Sequence, residues 1–367
     1  MGYITVDGTV ICKAPSEKEL DQREIEQIVS HTANTWQSGR GADETRRDTV
    51  QGKKAELALE CFLHRRSQIQ YLSYDKFRED GYQKHAPFDG ILFRRDTAPK
   101  LLEYLIGRIN DDVAGSDKGQ IGAVLRKELA ACGVYTMEIK SSSLKKRDYE
   151  GVSALSGEEE RVVEEDGTVF IYVRTEEEYQ QIVNNIKRWD FFVYPYYKRK
   201  SEEIQTFYDY AESVRANTPD RERQQSNWRF LHDLIVAEYD NACDIYTRLY
   251  FDYETGEIYF PGYLKKGDFY KKPRIAHMPG GKSGQALYYM RSIADGRSFG
   301  EIDRDIASWH FGDEAAYGRL FAGDRRECIR CGADLQICNV RTRRAYRYRC
   351  YSCGAWYDMD EVNGAGR

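Results

Sequence analysis

Near its C-terminus the chain reads CIRCGADLQICNVRTRRAYRYRCYSCG over residues 328–354, a C-x2-C-x18-C-x2-C spacing with a glycine after each pair. No other stretch restricts the fold as tightly. Two thiolate pairs at this spacing suit one tetrahedral structural Zn2+ held by Cys328, Cys331, Cys350 and Cys353. The glycines permit the tight turns that aim both sulfurs of a pair inward. Four ligands close the shell, so the ion is expected to be structural, and Cys338 between the pairs is left to packing. Cys12, Cys61, Cys132 and Cys243 are scattered singly. That distribution predicts metal binding in a reducing compartment rather than disulfides.

The same segment is basic. Residues 325–353 carry eight arginines against two acids, and four thiolates with one Zn2+ subtract two more, leaving a net charge of about +4. Arg341, Arg343, Arg344 and Arg347, interleaved with Tyr346 and Tyr348, suit phosphate contact and base-edge recognition. The plainer alternative is a fold-stabilising knob whose arginines face solvent or acids elsewhere. In its cysteine spacing the module resembles a zinc ribbon.

At 367 residues the chain exceeds one ordinary core, so two or three domains are expected. Its composition, 41% hydrophobic and 31% charged, is globular rather than disordered. The formal charge of −5 does not advertise nucleic-acid binding, but it averages over domains and can hide a local basic patch. The N-terminus lacks a basic region followed by an apolar core, and no apolar run approaches the roughly 20 residues that span a bilayer. A soluble, cytoplasmic protein with no membrane partner is expected. MPGGKSGQA (278–286) lacks the earlier glycine of a phosphate-binding loop, which argues against a nucleotide cofactor. The six histidines show no close pair, so a histidine-metal nuclease centre of the H-N-H kind is not expected.

Apolar spacing organises the rest. Residues 16–36 are expected to be helical, 38–52 a polar connection, and GKKAELALECFLHRR (52–66) a helix. PFDGILF (87–93) reads as a short buried strand, 98–132 as helical with a break at AGSDKG, and VYTMEIKSS as a strand. Residues 144–167 are a charged excursion or hairpin loop, and TVFIYV (168–173) is a strand. Thr175 and Glu178 form a capping box opening a helix over 176–189, before strand-like DFFVYPYY (190–197). Residues 201–240 look helical and polar, and 246–264 alternates about D-Y-E-T-G-E as a β-hairpin.

YTMEIKSSS (135–143) places Glu138 and Lys140 two residues apart in a strand, hence on one face. Taken alone this is an ordinary ion pair on a solvated edge. Asp89, at the start of the preceding strand, and Glu56, on the helix before both, bring further carboxylates that can converge on it. Cleaving a phosphodiester needs a hard divalent cation, and Mg2+ takes oxygen ligands. Asp89 and Glu138 would be its carboxylates, with the backbone carbonyl of Ile139 as a further ligand. Lys140 would hold or help deprotonate the attacking water, and Glu56 would hold a second metal or a metal-bound water. Asp89 also fits a plain turn residue beside Gly90, and Glu56 and Glu60 fit solvent-facing helix positions.

The order helix-Glu56, Pro87-Phe88-Asp89, Glu138-Ile139-Lys140 resembles the PD-(D/E)xK nuclease superfamily, which includes type II restriction endonucleases. The chain departs from that pattern in the inserted Phe88 and in the 48 residues between the acids. The resemblance covers roughly residues 45–200. It implies an α/β (α+β) fold, a restriction-endonuclease-like mixed central sheet flanked by helices, with a small C-terminal zinc ribbon appended. It also implies Mg2+-dependent cleavage of double-stranded DNA. Three regions are expected: a nuclease domain over 1–200, a middle α+β region over 201–324 for DNA binding or dimerisation, and the zinc ribbon over 325–367. Ser141, Lys145 and Lys146 are candidate backbone contacts beyond the site, and Lys145–Arg147 read equally as a solvated run. A restriction-type enzyme would act as a C2 homodimer on a palindromic site. A repair, junction-resolving or modification-dependent nuclease fits the same residues. So does a non-catalytic nucleic-acid-binding protein, though an intact Asp89, Glu138 and Lys140 set argues against it.

Overall fold

The computed structural model describes residues 2–32, 41–66, 68–117, 119–155, 160–163, 169–193, 242–267, 274–278, 286–309, 328, 330–331, 335–340, 345–350 and 352–358. The expected helical stretch at 201–240 lies outside these residues. Two compact units result. The first comprises Met1–Trp189, Cys243–Leu264 and Ser292–Arg367, and the second Asp190–Ala242 and Lys265–Arg291.

In chain order the first unit contains β1 (Tyr3–Val6), β2 (Thr9–Lys13), α1 (Gln22–Thr32), α2 (Ala42–Arg66) and β3 (Ile69–Ser73). It continues with β4 (Gly90–Arg94), α3 (Pro99–Gly115), α4 (Ala123–Ala131), β5 (Tyr135–Ser143), β6 (Glu160–Val163), β7 (Val169–Tyr172) and α5 (Glu176–Lys187). After β8 (Asp190–Val193), which belongs to the second unit, come β9 (Ile245–Asp252), β10 (Glu257–Phe260) and β11 (Tyr263–Lys265). Then follow β12 (Arg274–Met278), β13 (Ala286–Ser292), α6 (Ile302–Trp309), β14 (Gln336–Val340), β15 (Ala345–Arg349) and β16 (Trp356–Asp358). In the second unit the described strands form a three-stranded sheet in the order β12-β13-β8. Among the described residues no helix is long and apolar enough to cross a membrane.

The fold is mixed α/β. Its principal sheet runs β1-β2-β10-β9-β5-β4-β3, with β11 on β9. Along that path the pairings are antiparallel except β5 with β9, which run parallel from Met137↔Ile245 to Ser143↔Phe251. A parallel pair needs a long crossover, here the 101 residues 144–244. Strands β9 and β10 thus lie beyond the boundary expected near residue 200 and yet complete the sheet that carries β5. Alternation locates a strand without naming its partner, so spacing could not disclose this closure.

The hairpin β1–β2 turns at Asp7 (φ 44) and Gly8 (φ 74), the two left-handed positions of a type I′ turn. The Asp-Gly dipeptide is its sequence signal. Helix α2 begins at Ala42, inside the segment expected to be a polar connection. Residues such as Glu44, Arg46, Arg47 and Gln51 are good helix formers. Such residues hold an exposed helix without an apolar stripe. The capping box of Thr175 and Glu178 forms as expected: each side chain accepts from the other's backbone amide.

The second half of α2 drives the packing. Ala55, Ala58, Leu59, Phe62 and Leu63 are buried against Ile69, Leu92, Met137, Ile139, Leu249 and Phe260 of the sheet. Each large apolar side chain so buried contributes about 1.5–3 kcal/mol. Phe62 sits at the hub, with ring centroids 5.9 Å from Phe260 and 6.1 Å from Phe299.

At the start of β4 the sheet accepts an aromatic ring where a side chain would stand. A Cβ on Gly90 would lie 2.4 Å from the Tyr71 ring. That ring sends its hydroxyl to the carbonyl of Asp89 at 3.0 Å. Gly90→Ala should therefore destabilise the fold by about 1–3 kcal/mol through overpacking. Chemical denaturation checks it, and Gly107→Ala, on an open part of α3, serves as the control without that loss.

Candidate active site

Strand β5 organises the candidate site by alternation. Tyr135, Met137 and Ile139 enter the core with α2. Thr136, Glu138, Lys140 and Ser142 take the other face. Across the parallel register Lys140 faces Arg248, whose Nε and Nη2 donate to Ser142 Oγ at 3.1 and 2.8 Å. Lys140 Nζ pairs with Glu138 Oε1 and keeps 40% of its side chain exposed. The expected acid and base therefore lie side by side.

Asp89 reaches them because it stands one residue before β4, where the ladder with β5 gives out. The β4–β5 ladder stops at Gly90↔Met137. Asp89 N donates to Met137 O at 3.0 Å. The Ile139 amide then donates to Asp89 Oδ2 at 2.5 Å, so a carboxylate replaces the missing ladder carbonyl. Ile139 thus meets Asp89 through its amide, and on an extended strand the carbonyl of the same residue faces the same edge. Behind this turn, buried Arg126 of α4 donates to Pro87 O and to Thr136 Oγ1, each at 3.2 Å, joining the lead-in of β4 to the foot of β5.

Burial pushes the Asp89 carboxyl well above the ordinary range; the charge of Glu138 adds to this and that of Lys140 opposes it. Enclosure disfavours the Lys140 ammonium, but Glu138 and Asp89 outweigh it and raise its pKa. Asp89 and Glu138 offer oxygen donors alone, and their mutual repulsion is what a hard divalent cation relieves. The residues present fit Mg2+.

Glu56 stands next to this group and is engaged elsewhere. Its Oε2 accepts from Ser73 Oγ at 2.6 Å and from Lys53 Nζ at 3.1 Å. Burial raises its pKa, which Lys53 opposes and Asp75 reinforces. Glu60 pairs with Lys76 at 2.7 Å, as a solvent-facing helix residue does. A cleft runs along α1 and α2, lined by Glu19, Asp21, Glu24, Lys53, Glu56 and Glu60 among others, with Asp89, Glu138 and Lys140 outside its wall. Lys53 is legible beforehand only as an i,i+3 partner of Glu56. Tyr71 and Arg126 carried no sequence signal.

Of the candidate DNA contacts, Ser141 lies on the α2 face, its hydroxyl accepting from Gln51 Nε2 at 3.1 Å. Lys145 and Lys146 are exposed just beyond the end of β5. Arg347 lies on β15 opposite Cys338. Arg341, Arg343 and Arg344 lie outside the described residues.

The four cysteines form a closed set. The sulfurs of Cys328, Cys331, Cys350 and Cys353 all lie within 4.8 Å of one another. Cys328 is 3.5 Å from Cys353, and Cys331 is 3.5 Å from Cys350. A zinc tetrahedron with bonds of about 2.3 Å has sulfur–sulfur edges of about 3.8 Å, so the cluster can bind a metal such as zinc with small adjustment. The turn between β15 and β16 is fixed by Cys350 N to Ala355 O at 2.8 Å and by Gly354 (φ 75), whose amide donates to Cys350 O at 2.9 Å. Burial raises the Cys328 thiol, but hydrogen bonding with the Tyr357 hydroxyl at 3.1 Å and with neighbouring amides brings it down to about 6. Among the described residues this is the one group of three or more His, Cys, Asp or Glu drawn so close. Glu56, Asp89 and Glu138 do not form such a cage.

No protein-family model, curated protein or solved structure matches this chain. The cysteine cluster is therefore tested by its chemistry. The purified protein should carry one zinc per chain by elemental analysis, and Cys350→Ser should lose it. Amide exchange should accelerate in 345–358 on that substitution while 135–143 stays protected.

Proposed function

We propose that this chain is a Mg2+-dependent DNA endonuclease with a restriction-endonuclease-like core, cutting double-stranded DNA at a specific sequence. One observation carries the reading: the Asp89 carboxylate is fixed on the Ile139 amide, beside the Glu138–Lys140 pair. A bare strand-edge ion pair has no use for a second, half-buried carboxylate. Asp89 and Glu138 would hold the ion, with the Ile139 carbonyl on the same edge. When bound, Mg2+ neutralises charge on the transferring phosphate and lowers the pKa of a coordinated water.

The chain's own residues supply the remainder. The Lys140 side chain, partly open to solvent, holds the attacking water and opposes the negative charge that grows at the phosphorus. Tyr71 and Arg126 keep the Asp89 turn from shifting, through its carbonyl and through Pro87. Lys145 and Lys146, exposed beyond β5, suit contact with the phosphate backbone next to the cut. The basic cysteine module, loaded with zinc, adds a second positive surface. A C2 pair of chains would cut both strands of a palindrome.

Incubation with a panel of phage and plasmid DNAs, methylated and unmethylated, in Mg2+ and in EDTA, tests this. Discrete Mg2+-dependent fragments are expected, and Asp89→Ala and Lys140→Ala should each cut about 100-fold slower or worse. Cutting confined to methylated DNA would mark a modification-dependent enzyme. Cutting that persists in EDTA or in Asp89→Ala, or no cutting of any substrate, would overturn the assignment.

A further inference from the structure

Tyr253 puts an aromatic ring into solvent and holds it there. It lies in the turn after β9 and is 61% exposed. Its ring runs nearly parallel to that of buried Phe251, with 18° between the planes and 6.0 Å between the centroids. Its hydroxyl donates to Gln51 Oε1 of α2 at 2.8 Å. Ser143 Oγ donates to the same oxygen at 3.3 Å, and Gln51 Nε2 donates to Ser141 Oγ at 3.1 Å. Helix α2, strand β5 and the β9–β10 turn thus fix a ring that stays open to solvent.

Two cations stand beside it. The Leu144 amide donates to Phe251 O at 2.8 Å, which continues the parallel register past Ser143↔Phe251 and brings Lys145 level with Tyr253. Lys145 and Lys146 are exposed, and among the described residues neither ammonium meets a carboxylate. Their turn is fixed as well. Buried Asp148 accepts from the Lys145 amide and from Trp189 Nε1, each at 2.7 Å. Tyr149 donates to Asp252, the residue before Tyr253, at 2.9 Å. Of the nearby acids, Glu254 is taken up by Arg174 at 2.9 Å, and Asp48 follows exposed Arg47 on α2.

A rigid exposed ring flanked by ammoniums binds a nucleobase by stacking and its phosphates by charge. Fixing the ring in advance removes ordering entropy that stacking would otherwise cost. An apolar protein partner would need a broader apolar surface, and the exposed neighbours here, Lys145, Lys146 and Glu254, are charged. In an intact duplex each base is covered by its neighbours, so only an unstacked base can lie on such a ring. We propose that Tyr253 is a stacking platform for an unpaired base, with Lys145 and Lys146 on the adjoining phosphates, so that the chain engages DNA that is single-stranded or opened at this point. Ser143 stands three residues beyond Lys140 on β5, a rise of about 10 Å, which sets the opened nucleotide near the cut. That placement rests on the nuclease reading; the platform does not.

Fluorescence anisotropy of the full chain in Mg2+-free buffer tests it, with three labelled probes of equal length: a single DNA strand, an abasic strand with the same phosphates, and a duplex. Wild type should bind the single strand about 10-fold tighter than the abasic one. Tyr253→Ala should lose that preference and leave duplex affinity unchanged, and Tyr253→Phe should keep the preference. Replacing Lys145 and Lys146 together by Ala should weaken both strands alike and flatten the log–log salt dependence by about 1.4. A tyrosine that only supports the fold would not tell a base from its absence. Equal affinity of wild type for the two strands would overturn the proposal, a result that stands even if Tyr253→Ala does not fold. So would a preference that Tyr253→Ala retains, or an equal loss on the duplex. Poly-glutamate bound as tightly as the strand would also overturn it and mark an acidic protein partner. A wild type that stacks bases through Tyr253 and cuts no DNA would remove the nuclease reading and keep the platform. A cutting enzyme without the strand preference would do the reverse.

Discussion

The hydrogen bond from the Ile139 amide to Asp89 is the point on which the candidate site depends. An amide inside a sheet needs an acceptor, and β4 has run out of backbone to supply one. The acceptor is a carboxylate, which places charge where charge is expensive. Glu138 and Lys140 lie on either side of Ile139 in the chain and project from the other face of β5. The ending of one ladder thus brings a strand-end acid to an acid and base that alternation had already aligned. Tyr71 and Arg126 secure the same turn from two sides, and Gly90 is the residue that lets the tyrosine ring come close enough.

Long-range pairing stands behind this arrangement. Strand β5 is central because β9 pairs with it in parallel, over a hundred residues later in the chain. Strand β4 pairs with β5 only as far as Met137, and β9 carries the pairing on to Ser143, so Glu138 and Lys140 project from a strand anchored along its β9 edge. Below them α2 packs its apolar stripe on the sheet and carries Glu56 at the margin of that stripe. Lys53 and Ser73 both donate to Glu56 Oε2 there.

Much of this was legible in the residues. The E-x-K alternation fixed the shared face of Glu138 and Lys140, and the cysteine spacing anticipated a set of sulfurs close enough for one metal. Thr175 and Glu178 marked the start of α5, and D-Y-E-T-G-E marked the β9–β10 turn. The Asp7-Gly8 turn was readable by the same chemistry, although a four-residue strand on its near side gives little alternation to support it. The start of α2 was hidden because charged helix formers leave no apolar period. The partnership of β5 with β9 had no local signature. The engagement of Glu56 by Lys53 and Ser73, with Asp75 on the same ammonium, arises from elements meeting in space, of which spacing reveals only the i,i+3 pair.

The most direct test of the central claim is a crystal structure of the chain soaked in Mn2+, with anomalous scattering used to locate the ion. The account predicts a peak bridging the carboxylates of Asp89 and Glu138, at about 2.1–2.2 Å from oxygens of each. A soak that leaves the Glu138–Lys140 pair closed with no peak beside Asp89, under conditions that place Mn2+ elsewhere on the protein, would contradict it.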